Sequence, residues 1–229
     1  MSCAPTKVLP VAWMSTAEEA GEIMRFQAEV ADGLHALAQP LTILRGAIGA
    51  LASQPPNEAA SRRYMEMSSR QVERICDLFT ALQDLLIARR ADVQCTLVNL
   101  HRLLADACEE AQDKLGAQGI TIVLHGMDER LSAVADAARM HLALAAVFSA
   151  AQSISSVGDR IEVRAVATEQ SVQINIASER ALDRRLNAAE RLSLAAADAA
   201  IRSQGGSLIL TTGPFKAQLT VPKEMSIPE

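Results

Sequence analysis

The stretch VADGLHALAQPLTILRGAIGAL, residues 30–51, decides how the first half of the chain folds. Its apolar residues are spaced alternately by four and three positions: Val30, Leu34, Leu37, Leu41, Leu44, Ile48 and Leu51. This heptad spacing predicts a helix, from about Thr16 to Leu51, with an apolar seam along one side. Because a single helix cannot bury such a seam, we expect a second helix to pack against it.

The segment that follows repeats the pattern. Ser53–Asn57 contains two prolines, which end the first helix because proline cannot continue the hydrogen-bond ladder. A second helix is predicted from about Glu58 to Arg89, with the seam Met65, Ser68, Val72, Ile75, Phe79, Leu82 and Leu86. Two seamed helices joined by a short loop predict an antiparallel hairpin over residues 16–91. We expect two hairpins to form a four-helix bundle in a homodimer; the alternative is that the hairpin packs on its own second domain.

The pattern changes after residue 91, and residues 92–229 predict a separate α/β domain. Strands are expected at residues 95–98, 120–124, 160–166, 171–176, 207–210 and 216–221, and helices at about 100–115, 136–153 and 188–203. Gly205-Gly206 is a natural stop for the last helix. The predicted fold class is α+β, with a helical hairpin followed by a mostly antiparallel sheet that carries helices on one face. Residues 1–15 are expected to be a flexible N-terminus.

Composition narrows the choice of partners. The chain is 49% hydrophobic, which is enough for a real core, and its net charge of −5 favours neither a nucleic-acid nor a membrane-surface partner. It has no apolar run of about 18 residues and no convincing signal peptide. Its four cysteines have no metal-ligand spacing. We therefore expect a cytoplasmic protein with reduced thiols and no bound metal.

The segment His35-Ala36-Leu37-Ala38-Gln39-Pro40-Leu41 resembles the H-box of sensor histidine kinases, which usually has the form H-E-L-x-x-P-L. The order of elements after residue 91 is similar to the Bergerat-like ATP-binding fold of that family, as far as the closing segment Leu192–Pro222. The resemblance implies a dimeric four-helix bundle that carries a phospho-accepting histidine, followed by an ATPase-type α/β sandwich.

The residues with which that family handles nucleotide are absent. Ala36 stands where an acidic residue serves as the base for attack on ATP, and Ala150 stands where an asparagine helps to hold magnesium. Ile176–Leu182 lacks the D-x-G-x-G loop, and Arg191–Leu194 lacks the second glycine-rich box. The resemblance therefore implies a degenerate domain with no ATP and no other cofactor. In this respect the chain is similar to histidine phosphotransferases of the ChpT and sporulation phosphorelay types.

His35 lies beside the seam, so we expect its ring on the solvent-exposed flank of the bundle. An exposed imidazole is largely neutral near pH 7 and offers a free ring nitrogen, which can attack the acyl phosphate of a phospho-aspartate. His101, His125 and His141 show no metal spacing and are interpreted as structural. A response-regulator receiver is the expected partner, docked against the residues that follow His35 on the helix: Ala38, Gln39, Thr42 and Arg45.

Two functional hypotheses remain open at this point. The first is a phosphotransfer protein that takes phosphate on His35 from one receiver and passes it to another. The second is a non-catalytic pseudokinase scaffold that binds a receiver or a kinase without carrying phosphate. Phosphotransfer from a phosphorylated receiver to the purified protein distinguishes the two.

Overall fold

The computed structural model describes residues 16–53, 58–90, 92–126, 128–129, 131–178, 185–212 and 214–223. The chain begins with two long helices, α1 (Thr16–Ser53) and α2 (Glu58–Ala88), which pack against each other. The predicted helical hairpin is therefore confirmed. The predicted flexible N-terminus and residues 54–57 of the interhelical loop lie outside the described residues.

The α/β part contains seven strands and three helices within the described ranges. They are β1 (Thr96–Asn99), α3 (Leu100–Gly116), β2 (Thr121–Leu124), β3 (Ser132–Ala135), α4 (Ala137–Ile154), β4 (Arg160–Ala167), β5 (Ser171–Ser178), α5 (Ala188–Arg202), β6 (Ser207–Thr212) and β7 (Phe215–Pro222). The main sheet has the order β2-β4-β5-β7-β6; β2 runs parallel to β4 and the other pairs are antiparallel. The predicted α+β fold, with a mostly antiparallel sheet, is confirmed.

Strand β3 is absent from the sequence-based prediction. It pairs antiparallel with β1 in a separate two-stranded sheet, in which Leu97 lies opposite Val134. Its sequence, Ser-Ala-Val-Ala, has a single β-branched residue and only four positions, so neither strand propensity nor alternation marks it. The small side chains fit because Ala133 and Ala135 are fully buried in the core.

One face of the main sheet is buried under helices α3, α4 and α5. Alternate residues of its strands, such as Ile161, Val163, Ile174 and Ile176, have no solvent exposure and belong to one apolar cluster with these helices.

The turn from α5 into β6 contains the two glycines that the sequence predicts as a helix stop. Gly205 has a φ of +76°, and a Cβ on Gly206 would lie 2.3 Å from the carbonyl oxygen of Thr220.

The predicted single seam of the hairpin is wrong in one respect, because the structure divides it into two rows. One row, which includes Val30, Leu37 and Leu82, faces the interior of the hairpin and α5 of the same chain. The other row remains exposed at intervals of seven residues: Leu34, Leu41 and Ile48 on α1, and Met65, Val72, Phe79 and Leu86 on α2. Packing of the hairpin on its own second domain, the alternative to a dimer, thus covers only part of the apolar surface.

Candidate functional site

His35 lies near the middle of α1 and is exposed. Its exposure follows from helical geometry. Successive residues are rotated by about 100°, so His35 points roughly away from Gly33, two residues earlier. Gly33 and Pro40 are buried and mark the side of α1 that faces the rest of the protein. The imidazole therefore lies on the outer side of the hairpin, as the sequence predicts.

The four residues predicted to contact a partner are all exposed on α1: Ala38, Gln39, Thr42 and Arg45. The Thr42 hydroxyl is engaged within the helix, because its Oγ1 donates a hydrogen bond of 2.8 Å to the carbonyl oxygen of Ala38. Threonine often bonds in this way within a helix, because the carbonyl one turn earlier is in reach. Thr42 can therefore only accept a hydrogen bond from a partner.

Position 36, where kinases carry an acidic residue, faces the docked second domain. Ala36 is half-buried and packs against an apolar cluster that α2 and α5 form together. Four residues later, Pro40 has no backbone N–H, so the carbonyl of Ala36 has no helical donor. A carboxylate at position 36 would be partly buried between the hairpin and α5, where its desolvation is costly.

Ala150, which the sequence resemblance places at the magnesium-binding position, lies among small buried side chains of α4. Ala150 is 1% exposed, and Ala146 on the previous turn is also buried. Near the end of α4, the Ser153 hydroxyl donates to a carboxylate oxygen of Glu190 at the start of α5. This bond holds the first turn of α5 directly against α4.

The amino terminus of α5, which carries the glycine-rich phosphate box in kinases, is capped by its own side chains. The Asn187 side chain accepts from the Glu190 backbone N–H at 3.0 Å, and the Glu190 carboxylate accepts from the Asn187 N–H at 2.6 Å. A phosphate bound here would have to compete with these two side chains for the N–H groups, and the negative charge of Glu190 would repel it. The start of α5 is therefore closed by its own side chains. Residues Glu179–Leu182, where the D-x-G-x-G loop is missing from the sequence, lie outside the described residues.

A buried polar group lies at the end of β5, and sequence reasoning did not find it. The Ser178 hydroxyl donates to Asp159 Oδ2 at 2.9 Å and lies 3.2 Å from the Ser155 hydroxyl. All three residues are buried. Their polar atoms bond to one another, so this group stabilises the domain rather than offering a site to a ligand.

A cleft of about 350 Å³ lies between α2, α4 and α5, with Asp84, His141, Ser149 and Ser193 among its lining residues. Burial raises the pKa of Asp84. No group of three or more His, Cys, Asp or Glu residues in the described parts of the chain is arranged to hold a metal ion. Nor does any described helix have the length and apolar character needed to cross a membrane.

The hairpin and the α/β domain together form the fold of histidine kinases. The chain is similar to the Acinetobacter baumannii histidine kinase AdeS, with 19% identity over 84% of this chain and 98% of that one, and a TM-score of 0.63. It is also similar to histidine kinase ThkA in its complex with response regulator protein TrrA. That match has 17% identity, covers 91% of this chain and 64% of the other, and has a TM-score of 0.68.

No protein-family model and no curated protein match the sequence. At these identities the structural likeness establishes the fold alone, so an argument about chemistry depends on the residues of this chain.

Proposed function

We propose that this protein is a histidine phosphotransfer protein of a two-component phosphorelay. His35 accepts a phosphoryl group from a receiver aspartate and passes it to a second receiver, without ATP. The observation that carries the proposal is the contrast between two sites on one chain. The acceptor-type histidine is exposed inside an H-box-like segment, whereas the start of α5 is closed to phosphate by Asn187 and Glu190.

The chemistry needs no base next to the histidine. The lone pair of a neutral ring nitrogen attacks the phosphorus, an N–P bond forms, and the P–O bond to the aspartate breaks as its carboxylate leaves. The proton on the other ring nitrogen is released to water. Because an acyl phosphate is already activated, Ala36 can stand where an ATP-dependent enzyme requires a carboxylate. The reverse reaction delivers the phosphate to the next receiver.

The docking surface for the receiver is the outer face of α1 below His35. The solved complex of ThkA with a response regulator shows that a protein of this fold binds such a partner. On this chain, Ala38 is small enough to allow close approach, Gln39 offers an amide, and Arg45 offers an exposed positive charge to an acidic rim. A relay must release its partner, so the contact should be weak and transient.

We propose that a second copy of the chain packs against the exposed apolar row and buries it. Its seven members are each between 46% and 60% exposed, although all are large hydrophobic side chains. Large apolar side chains exposed in regular rows of this kind favour an interaction site. The spacing of seven residues on both helices matches the packing of helices in a bundle, which supports an isologous homodimer.

The test is phosphotransfer from purified receiver domains that have been phosphorylated with acetyl phosphate and then freed of it. The unmodified protein should gain acid-labile phosphate, and His35→Gln should gain none. His141→Gln is the matched control, because His141 is also an exposed histidine on a helix. It should be labelled like the unmodified protein.

Two results would redirect the proposal. Labelling of His35→Gln at the normal level would place the acceptor elsewhere. If the unmodified protein binds a receiver but takes phosphate from none, the protein is a scaffold that carries no phosphate.

A further inference from the structure

The connection between the hairpin and the α/β domain is held at three points by the start of α4. It is short, because α2 ends at Ala88 and β1 begins at Thr96. The Arg139 guanidinium donates to the carbonyl oxygen of Ala88 at 2.7 Å and to that of Arg90 at 2.8 Å. Farther along, the backbone N–H of Gln94 donates to Asp136 Oδ2 at 2.9 Å. Both ends of the connection are thus tied to one helix terminus.

Arg139 joins this connection to α5 as well. The side chain is buried, and the same nitrogen that reaches Ala88 also donates to the Ser203 hydroxyl at 2.7 Å, just after α5 ends. Asp136 lies 3.6 Å from the guanidinium and is itself held through its backbone N–H, which donates to Gln204 Oε1 at 2.6 Å. The ends of α2 and α5 and the start of α4 therefore share one hydrogen-bond network around a buried charge.

The other end of α5 is fitted against the helix that carries His35. Leu192, in the second turn of α5, lies close to Gly33: a Cβ at position 33 would be 3.0 Å from Leu192 Cδ1 and 2.7 Å from Leu82 Cδ2. A larger side chain than glycine would force the ends of Leu82 and Leu192 to shift. Between these two ends, Ala196, Ala199 and Ala200 of α5 are buried in the cluster shared with α2.

We propose that Arg139 and Asp136 form a clamp that locks the α/β domain onto the hairpin, so that the two halves move as one rigid body. A domain that delivers nucleotide to a histidine must move relative to it. Here the connection that would bend is bonded at Ala88, Arg90 and Gln94, and α5 is held at both ends. The domain therefore acts as a fixed support for the helix turn that precedes His35. The clamp requires no phosphate and is independent of the function proposed above.

Amide hydrogen exchange tests the clamp on the full-length protein. Arg139→Met removes every donor, and exchange should become at least tenfold faster in residues 85–95 and 188–203. Arg139→Lys keeps the charge but cannot reach all acceptors at once, so its effect should be intermediate. Arg164→Met is the matched control, since Arg164 is an exposed arginine of the same domain that pairs with Glu162. It should leave exchange in both segments unchanged.

Thermal unfolding provides a second readout. The unmodified protein should unfold in one cooperative transition, and Arg139→Met should unfold in two, as the hairpin and the α/β domain separate. Exchange in Arg139→Met equal to that in Arg164→Met would overturn the proposal, and so would two transitions in the unmodified protein.

If Arg139→Met does not fold, Gly33→Val tests the other end of α5. Its branched side chain should displace Leu192, and exchange in residues 188–196 should rise at least tenfold while the overall helix content is kept. Unchanged exchange in that segment would contradict a clamped α5.

Discussion

At the scale of single residues, two neighbours on α1, His35 and Ala36, lie in different surroundings. His35 points outward, whereas its neighbour Ala36 packs against the cluster beneath α5. A charge at position 36 would lie partly buried between two apolar surfaces, so the docked domain and an acidic residue at this position are in conflict.

Ala36→Glu tests this conflict. Burying an unpaired carboxylate should lower the free energy of unfolding by about 1–3 kcal/mol, without giving autophosphorylation by Mg-ATP. Ala38→Glu is the control, because Ala38 is exposed on the same helix; its effect should stay within about 0.5 kcal/mol. Urea denaturation measures both. Equal stability of the two variants would show that α5 does not cover position 36.

At the scale of elements, the sequence predicts most of the fold because its signals are local. Heptad spacing predicts α1 and α2, and β-branched runs predict β2, β4 and β5. The strand β3 has no such signal, since its place comes from pairing with β1. The division of the heptad seam is likewise invisible in the sequence, because the second domain decides which row it covers. The network of Arg139 cannot be predicted for the same reason, because its acceptors are two backbone carbonyls about fifty residues earlier and the hydroxyl of Ser203, 64 residues later.

From the start of α5 we predict that the protein does not bind nucleotide. The side chains of Asn187 and Glu190 accept hydrogen bonds from two of the first backbone N–H groups of this helix. The methyl group of Ala150 cannot hold magnesium. Calorimetric titration with Mg-ATP should therefore show no binding at millimolar nucleotide. A histidine kinase catalytic domain with an intact glycine-rich loop is the positive control. A dissociation constant in the micromolar range would contradict the assignment of α5 as a closed terminus.

At the scale of the whole molecule, large apolar side chains of the hairpin remain exposed where α5 does not cover them. Leu34, Leu41 and Ile48 on α1 and the four residues on α2 are exposed at seven-residue intervals, so both helices carry uncovered apolar side chains. If a second copy covers these side chains, the two His35 side chains of a dimer remain outside the interface, and each protomer can meet its own receiver.

Phe79→Glu tests the dimer. Phe79 is 56% exposed in one protomer, so the change should leave the protomer folded but place a charge in the interface. Light scattering should give about twice 24.5 kDa for the unmodified protein and a single copy for the variant. Ile209→Glu is the matched control, because Ile209 is 59% exposed on β6, outside the hairpin. It should remain dimeric. A monomeric unmodified protein at high micromolar concentration would contradict the prediction.

Whether His35 carries the phosphate is tested by locating the modified residue. Trypsin places the four histidines on four different peptides, and the peptide Phe26–Arg45 contains only His35. After incubation with a phosphorylated receiver and digestion without acid, mass spectrometry should find phosphohistidine on Phe26–Arg45 alone. Phosphate on the peptide of His101, His125 or His141, or on Phe26–Arg45 only after incubation with Mg-ATP, would contradict it.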